Sequence, residues 1–226
     1  IKRTFDRLQK IKSKKQKIIF SATDVSSRIE VDKLVNFSIK KFKKIDVLVN
    51  NAAIIGPNGH IEKINWNDWI KTIKINLFGS ILFCKALIPH FKRNNKGKII
   101  QLSGGGAASP YPMFSSYAVS KAGIVRFIEN LSEETKKFNI DINAVAAGIL
   151  NTDMLDEVLK AGQVKIGKKK YKKLLKQKDT RGTSFNKVCE LILFLGSKYS
   201  DGIRGKLISA LWDDWKNWTN YKQLLQ

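Results

Sequence analysis

Short apolar runs alternate with longer amphipathic stretches along most of the chain, and this alternation constrains the fold more than any other feature. The short runs stay apolar throughout, as expected of strands that are buried on both faces of a parallel sheet. The longer stretches repeat apolar residues every three or four positions, which is typical of helices that pack on a sheet. We therefore predict an α/β fold, a doubly wound parallel sheet with helices on both faces.

The predicted elements form a single domain. Strands are predicted at residues 17–25, 45–53, 97–104, 140–148 and 205–210. Helices are predicted at residues 27–44, 66–91, 115–138 and 185–196. A chain of 226 residues that is 43% hydrophobic can bury one sizeable core, so we treat residues 1–226 as one domain.

Small or amide side chains follow several of the predicted strands. They are Asn50 to Ala53, Ser103 to Gly106 and Ala147 to Thr152, and Asp24 lies at the end of the first run. In doubly wound sheets the ligand binds beyond the carboxyl ends of the strands. The sequence therefore predicts a ligand site along this edge, where small residues let a ligand approach the backbone.

Tyr117 and Lys121 lie four residues apart on the predicted helix 115–138. Residues at this spacing share one helix face. A positive charge about 5 Å away would lower the tyrosine pKa from about 10 by roughly two units, toward a range useful for proton transfer. In a chain with 42 lysines and arginines such a pair also arises by chance, so the pair needs support from other motifs.

Five segments in chain order resemble the short-chain dehydrogenase/reductase family. They are "TDV" (23–25), "NNAA" (50–53), "KINLFG" (74–79), "SYAVSKAG" (116–123) and "AAGILNTDM" (146–154). The resemblance covers nearly the whole chain. It implies a Rossmann-like sheet and hydride transfer between a nicotinamide cofactor and a small carbonyl or alcohol substrate, with residues 149–183 forming the loop and helices on the substrate side.

The resemblance also assigns the catalytic roles. Tyr117 would be the general acid–base group, Lys121 would also bind the nicotinamide ribose, and Asn76 would hold a proton-relaying water. The family's serine usually lies thirteen residues before the tyrosine, where this chain has Gly104. We expect Ser103, one residue earlier, to reach that place through the flexible turn and steady the substrate oxygen. The alternative is that Ser103 only ends a strand.

The resemblance places a second group of residues at the cofactor. They are Arg3, Asp24, Val25, Asn50, Ala52, Tyr117, Lys121, Gly148 and Thr152. In the family, the acid and the residue after it in "TDV" border the adenine, and the threonine meets the nicotinamide amide. Arg3 stands where a basic residue favours the 2′-phosphate, so the resemblance favours NADP, with NAD possible.

The sequence departs from the family pattern at its start. It contains no Thr-Gly-x-x-x-Gly-x-Gly turn, and it opens at Ile1 instead of Met. Because a sheet without its central strands would leave buried backbone groups unpaired, we expect a fragment in which the first two strands are missing. Ala53 and Ala147 also replace the usual glycine and proline. These departures motivate a second hypothesis, a non-catalytic binding protein with the same fold.

The formal net charge of +23 motivates a third, more distant hypothesis, a module that binds polyanions or nucleic acid. The basic runs lie at residues 12–17, 40–44 and 167–178. They are spread along the chain and are mostly lysine, whereas bidentate reading of bases favours arginine. We therefore expect no specific nucleic-acid partner.

The remaining features concern the compartment and assembly. Cys84 and Cys189 show no metal-ligand spacing and are predicted to be free thiols in a reducing compartment, so we expect a cytoplasmic protein without a metal site. No unbroken apolar run reaches the roughly 18 residues of a membrane span. The resemblance implies a homodimer or homotetramer through helices 66–91 and 115–138. The tryptophan-rich segment 205–218 would cover the substrate mouth or form a subunit contact.

Overall fold

A parallel sheet forms the centre of the computed structural model, which describes residues 2–180 and 182–218, with side chains from Thr4 onward. Its strands are β1 (Val47–Asn50), β2 (Gly97–Leu102), β3 (Ile140–Ala146) and β4 (Leu207–Ser209). They lie in the order β1-β2-β3-β4, and every neighbouring pair is parallel. The strands therefore direct their carboxyl ends to the same edge, as the α/β prediction requires.

The helices occupy the connections between strands and the segment before β1. They are α1 (Lys2–Ile11), α2 (Arg28–Phe42), α3 (Trp66–Ile73), α4 (Gly79–Asn94), α5 (Ser115–Glu134), α6 (Asp153–Lys160), α7 (Gly162–Ile166), α8 (Lys168–Asp179) and α9 (Phe185–Gly196). Helices α6 to α8 lie within the segment 149–183 that the sequence assigns to the substrate side. The predicted helices therefore form, with changed boundaries.

Helices cover both faces of the sheet. Ile99 and Ile100 are neighbours on β2, so their side chains point to opposite faces, and both are buried. Ile99 packs in a core with α2, α4 and α5, whereas Ile100 packs with Leu191 of α9 in a second core. Helices on both faces of β2 agree with the adjacent apolar residues of this strand, and they confirm the α/β prediction.

The predicted first strand, residues 17–25, does not form. An extended segment becomes a strand only by pairing, and β1 pairs with β2 alone among the described residues. Ser26 instead donates hydrogen bonds from its backbone N and from Oγ to Asp24 Oδ1, which turns the chain at the end of the run. The opening segment "IKRTFDRLQK" resembles the end of the family's second strand and the start of the next helix, and residues 2–11 are helical throughout as α1.

The predicted long helix 66–91 is interrupted by a π-helical segment, Lys74–Phe78. Such segments are often found at functional sites. By length and mean hydropathy, the stretch Trp66–Asn94 would suffice to cross a membrane, although it contains no unbroken apolar run of that length. In this fold the same stretch packs against α2, α5 and β2.

Candidate active site

A cavity of about 500 Å³ lies beyond the carboxyl ends of β1, β2 and β3. Its strand-end lining is Asn51–Ala53 after β1, Ser103–Gly105 after β2 and Ala147–Leu150 after β3. Helix α5 contributes Tyr117 and Lys121. The predicted ligand edge of the sheet is therefore an open pocket that contains both members of the predicted acid–base pair.

Tyr117 and Lys121 are both buried, with exposed fractions of 9% and 3%. Lys121 Nζ lies 5.5 Å from the centre of the Tyr117 ring and donates a hydrogen bond of 3.0 Å to the backbone oxygen of Leu102. The helical spacing thus brings the two side chains together. The ammonium group, however, is held by the end of β2 and makes no hydrogen bond to the Tyr117 hydroxyl.

Burial sets the protonation of both side chains. It raises the pKa of Tyr117 to about 12, with a smaller contribution from Tyr111, and it lowers the pKa of Lys121 to about 8. The direction for Tyr117 is opposite to the prediction from the sequence. Removing the hydroxyl from water disfavours the phenolate, and this cost exceeds the benefit of a lysine charge that faces Leu102. Tyr117 therefore carries its proton at neutral pH.

Asn76 lies in the π-helical segment and is fully buried. Its Oδ1 accepts a hydrogen bond from the Ile54 backbone N, and its Nδ2 donates to the Ile54 backbone O, both at 2.8 Å. Nδ2 also donates to Ser120 Oγ on α5 at 3.1 Å. Asn76 therefore ties the loop after β1 to α5 instead of lining the cavity.

Ser103 and Gly104 follow β2 at the floor of the cavity. Ser103 Oγ is closed off from solvent and has no hydrogen-bond partner among the described residues. A Cβ added to Gly104 would overlap Tyr117 Oη. Position 104 therefore faces the tyrosine hydroxyl, as the family's serine position should, whereas the Ser103 hydroxyl is not open to the cavity.

Besides Tyr117 and Lys121, three residues predicted at the cofactor line the same cavity: Ala52, Gly148 and Thr152. Gly148 has a φ of +74°, and a Cβ there would overlap Thr183 Oγ1, so only glycine fits without strain. The Thr152 side chain makes no capping hydrogen bond to α6, which begins directly after it. Its hydroxyl is therefore not engaged by the helix backbone.

Other predicted cofactor residues lie outside this cavity. Asn50 is buried and lines a second, neighbouring cavity, and its Nδ2 donates a hydrogen bond to the Ser80 backbone O at 3.3 Å. Val25 also lines this second cavity of about 190 Å³, which shares Asn51 and Ala52 with the first. Asp24 lines neither, and hydrogen bonds from Ser26 lower its pKa. Arg3 lies in α1, and its side chain is outside the described part of the structure.

The rest of the cavity wall is apolar and was not predicted as site residues. It is formed by Ile55, Tyr111, Ile149, Met154, Leu155, Val158 and Leu174. Leu155 and Val158 share one face of α6, and Leu174 is the buried residue of the lysine-rich helix α8. The spacing of apolar residues along α6 and α8 is the sequence feature from which these wall residues could have been predicted. Tyr111, between two prolines in an irregular segment, gave none.

Comparisons with known proteins agree on one family. The family model described as short chain dehydrogenase matches residues 2–162. A (2S)-[(R)-hydroxy(phenyl)methyl]succinyl-CoA dehydrogenase subunit BbsD from Thauera aromatica is 32% identical over 147 residues, 63% of this chain and 56% of that protein. A 3-oxoacyl-[acyl-carrier-protein] reductase FabG from Chlamydia pneumoniae is 34% identical over 151 residues, 66% of this chain and 60% of that protein.

A solved structure, "ElxO with NADP Bound", is 26% identical and superposes with a TM-score of 0.74. The superposition covers 85% of this chain and 76% of that one. The sequence matches to the two curated relatives span less than two thirds of either relative's length.

Proposed function

The chain belongs to the short-chain dehydrogenase family, and on this premise we propose that it is an NAD(P)-dependent oxidoreductase that interconverts a carbonyl compound and an alcohol. The observation that carries the proposal is the buried Tyr117–Lys121 pair, which opens into a cavity at the carboxyl ends of the strands. Such an edge is where doubly wound sheets bind nucleotides.

The residues present fit a nicotinamide cofactor. The two cavities share Asn51 and Ala52, and their combined lining includes Val25 and Gly148, so together they would offer an extended dinucleotide more than one contact region. When bound, the cofactor would supply the hydride. Thr152 and Lys121 would hold its nicotinamide and ribose. We favour NADP because of Arg3 and because the similar ElxO structure holds NADP, and NAD is the second candidate.

Tyr117 would donate the proton in the reduction direction. Because burial raises the pKa of Tyr117 to about 12, the hydroxyl carries its proton at neutral pH. Because Gly104 has no side chain, this hydroxyl can lie against the turn after β2, in a cavity lined by both residues. Lys121 stays close to the ring and can stabilise the phenolate that forms when the proton leaves.

Asn76 and Ser103 remain predictions in this mechanism. The hydrogen bonds of Asn76 to Ile54 support a role in shaping the loop after β1, where a water could be held. Ser103 would have to rotate its hydroxyl toward the cavity to steady the substrate oxygen. We also propose a homo-oligomer through α4 and α5, supported by Phe78 and Val119, which are each 50% exposed beside or on these helices.

The proposal is tested by titrating the full-length protein with NADPH and NADH in a calorimeter, then assaying reduction of ethyl acetoacetate, acetoacetyl-CoA and cyclohexanone. We expect tighter binding of NADPH and a ketone-dependent loss of absorbance at 340 nm. Tyr117→Phe should remove turnover and keep cofactor binding. Tyr199→Phe, at a tyrosine that is 62% exposed, is the matched control and should change neither.

A non-catalytic binding protein gives a different result. It would bind NADPH without turnover of any ketone in the panel, and Tyr117→Phe would be indistinguishable from the unmodified protein. Absence of binding to both cofactors would contradict both hypotheses and leave the polyanion-binding module as the alternative.

A further inference from the structure

Two consecutive glycines make room for two tyrosine hydroxyls in the cavity. A Cβ added to Gly104 would overlap Tyr117 Oη, and one added to Gly105 would lie 3.0 Å from the Tyr111 ring and 3.4 Å from Tyr111 Oη. The two tyrosine rings lie 6.4 Å apart, centre to centre. The turn after β2 is thus shaped around a pair of phenol groups, of which the sequence analysis used one.

The Tyr111 hydroxyl does not stabilise the fold through a hydrogen bond to any described residue. It makes no hydrogen bond within the described part of the chain, and it is not among the buried polar atoms that lack a partner. Ser103 Oγ, by contrast, is sealed from solvent, and position 104 carries no side chain. Thr152 also lines the cavity, but the hydroxyl that lies at the Gly104–Gly105 turn beside Tyr117 is that of Tyr111.

We propose that Tyr111 is a second catalytic residue, which donates a hydrogen bond to the substrate oxygen beside Tyr117 and so takes the role assigned to Ser103 by the resemblance. This inference rests on the proposed oxidoreductase function. It concerns the same cavity and names the group that would stabilise charge on the oxygen as hydride adds to the carbonyl carbon.

The position of Tyr111 is fixed from several sides. Pro110 and Pro112 flank it and restrict the backbone. The Phe114 ring lies 4.7 Å from the Tyr111 ring, and Lys170 Nζ of α8 lies 3.7 Å from the centre of that ring. A hydrogen-bond donor stabilises developing charge most when it is held in place before the reaction.

The electron and proton balance leaves Tyr111 unchanged at the end of the reaction. A bound reduced nicotinamide would supply the hydride to the carbonyl carbon and would itself be oxidised, the carbon–oxygen π pair moves to the oxygen, and Tyr117 transfers its proton to that oxygen. Tyr111 donates a hydrogen bond throughout and keeps its proton, since burial raises its pKa. The bond strengthens as negative charge grows on the oxygen, so its loss lowers kcat more than it raises KM.

The test compares Tyr111→Phe, Ser103→Ala, Tyr117→Phe and the control Tyr199→Phe in the full-length protein, with NADPH and ethyl acetoacetate. We expect Tyr111→Phe to lower kcat by about 100- to 1,000-fold with unchanged NADPH affinity, as when one donor to a developing oxyanion is removed. Ser103→Ala should change kcat far less. A large loss in Ser103→Ala together with normal kcat in Tyr111→Phe would overturn the inference.

A second measurement does not depend on turnover. The carbonyl carbon of [3-¹³C]ethyl acetoacetate, bound to the protein with NADP⁺, should resonate at higher frequency than in water because two hydroxyls donate to its oxygen. Tyr111→Phe should move the resonance back toward the value in water, and Ser103→Ala should not. The inference fails if Tyr111→Phe leaves it unmoved. Failure of NADP⁺ to bind, or full activity in Tyr117→Phe, would instead contradict the proposed function.

Discussion

Lys121 and Tyr117 are buried side by side, and each therefore favours its neutral form. Burial lowers the pKa of Lys121 to about 8 and raises that of Tyr117 to about 12. The ordinary pKa of a lysine is 10.5, so the folded state binds fewer protons at Lys121 than the unfolded state between pH 8 and 10.5. In that interval stability rises with pH.

Replacing Lys121 by methionine tests this directly. We expect the free energy of unfolding of the unmodified protein to rise by up to about 3 kcal/mol from pH 7 to 10, and Lys121→Met to remove most of the rise. Chemical denaturation at a series of pH values measures it. Lys172→Met, at an exposed lysine of α8, is the control and should keep the unmodified slope. An equal slope in Lys121→Met would show that Lys121 is not desolvated.

Gly104→Ala probes the space in front of the catalytic hydroxyl. The added Cβ would overlap Tyr117 Oη, so the ring must move, and we expect a loss of turnover with NADPH affinity kept. Gly196→Ala is the matched control, because a Cβ there meets its nearest atom at 3.8 Å. Steady-state kinetics measures the turnover, and calorimetry measures the NADPH affinity. Full activity in Gly104→Ala would contradict the assigned position of Tyr117.

Among the elements, the sequence predicted best those that are buried on both sides. β2 and β3 and helix α5 formed where apolar runs and helical spacing placed them, because burial alone selects those residues. Segment 17–25 is equally apolar in sequence, yet a strand depends on a pairing partner that residue pattern cannot supply. The π-helical segment was also not predicted, because apolar spacing does not distinguish a single π-helical turn from the α-helices on either side of it.

Asn76 links the π-helical segment, the loop after β1 and α5, and its removal should loosen all three. We expect Asn76→Ala to lower the free energy of unfolding by roughly 2–4 kcal/mol, because two backbone groups of Ile54 lose their partners. Hydrogen exchange should show loss of protection at the Ile54 amide. Asn217→Ala, at an exposed asparagine, should stay within about 0.5 kcal/mol. Unchanged protection at Ile54 would contradict this account.

At the scale of the whole molecule, the sequence predicted some of the residues that line the candidate site and missed others. Tyr117, Lys121, Gly148 and Thr152 line one cavity, since their motifs follow strands that end at one edge. Asn50 lies outside this cavity but lines the second one with Val25, because successive residues at a strand end point to opposite sides of the sheet. Tyr111 reaches the cavity from an irregular segment, whose path follows from tertiary packing.

The net charge of +23 predicts non-specific binding to polyanions. We expect retention on heparin and on double-stranded DNA of mixed sequence, with comparable affinities that fall steeply as salt increases. Titrations with heparin and with DNA at several NaCl concentrations measure the affinities and their dependence on salt. A strong preference for one nucleic acid over heparin at equal salt would indicate a specific binding surface. It would support the hypothesis of a nucleic-acid-binding module.

The central claim, hydride transfer with Tyr117 as the proton donor, is tested most directly by following deuterium from the cofactor into the product. The full-length protein is incubated with [4-²H]NADPH, prepared separately as each C4 epimer, and ethyl acetoacetate, and the alcohol is analysed by mass spectrometry. We predict deuterium at C3 of the product from one epimer only, in the unmodified protein and in Tyr199→Phe, and almost none in Tyr117→Phe. Equal deuterium incorporation in Tyr117→Phe, or no incorporation in any form, would contradict the account.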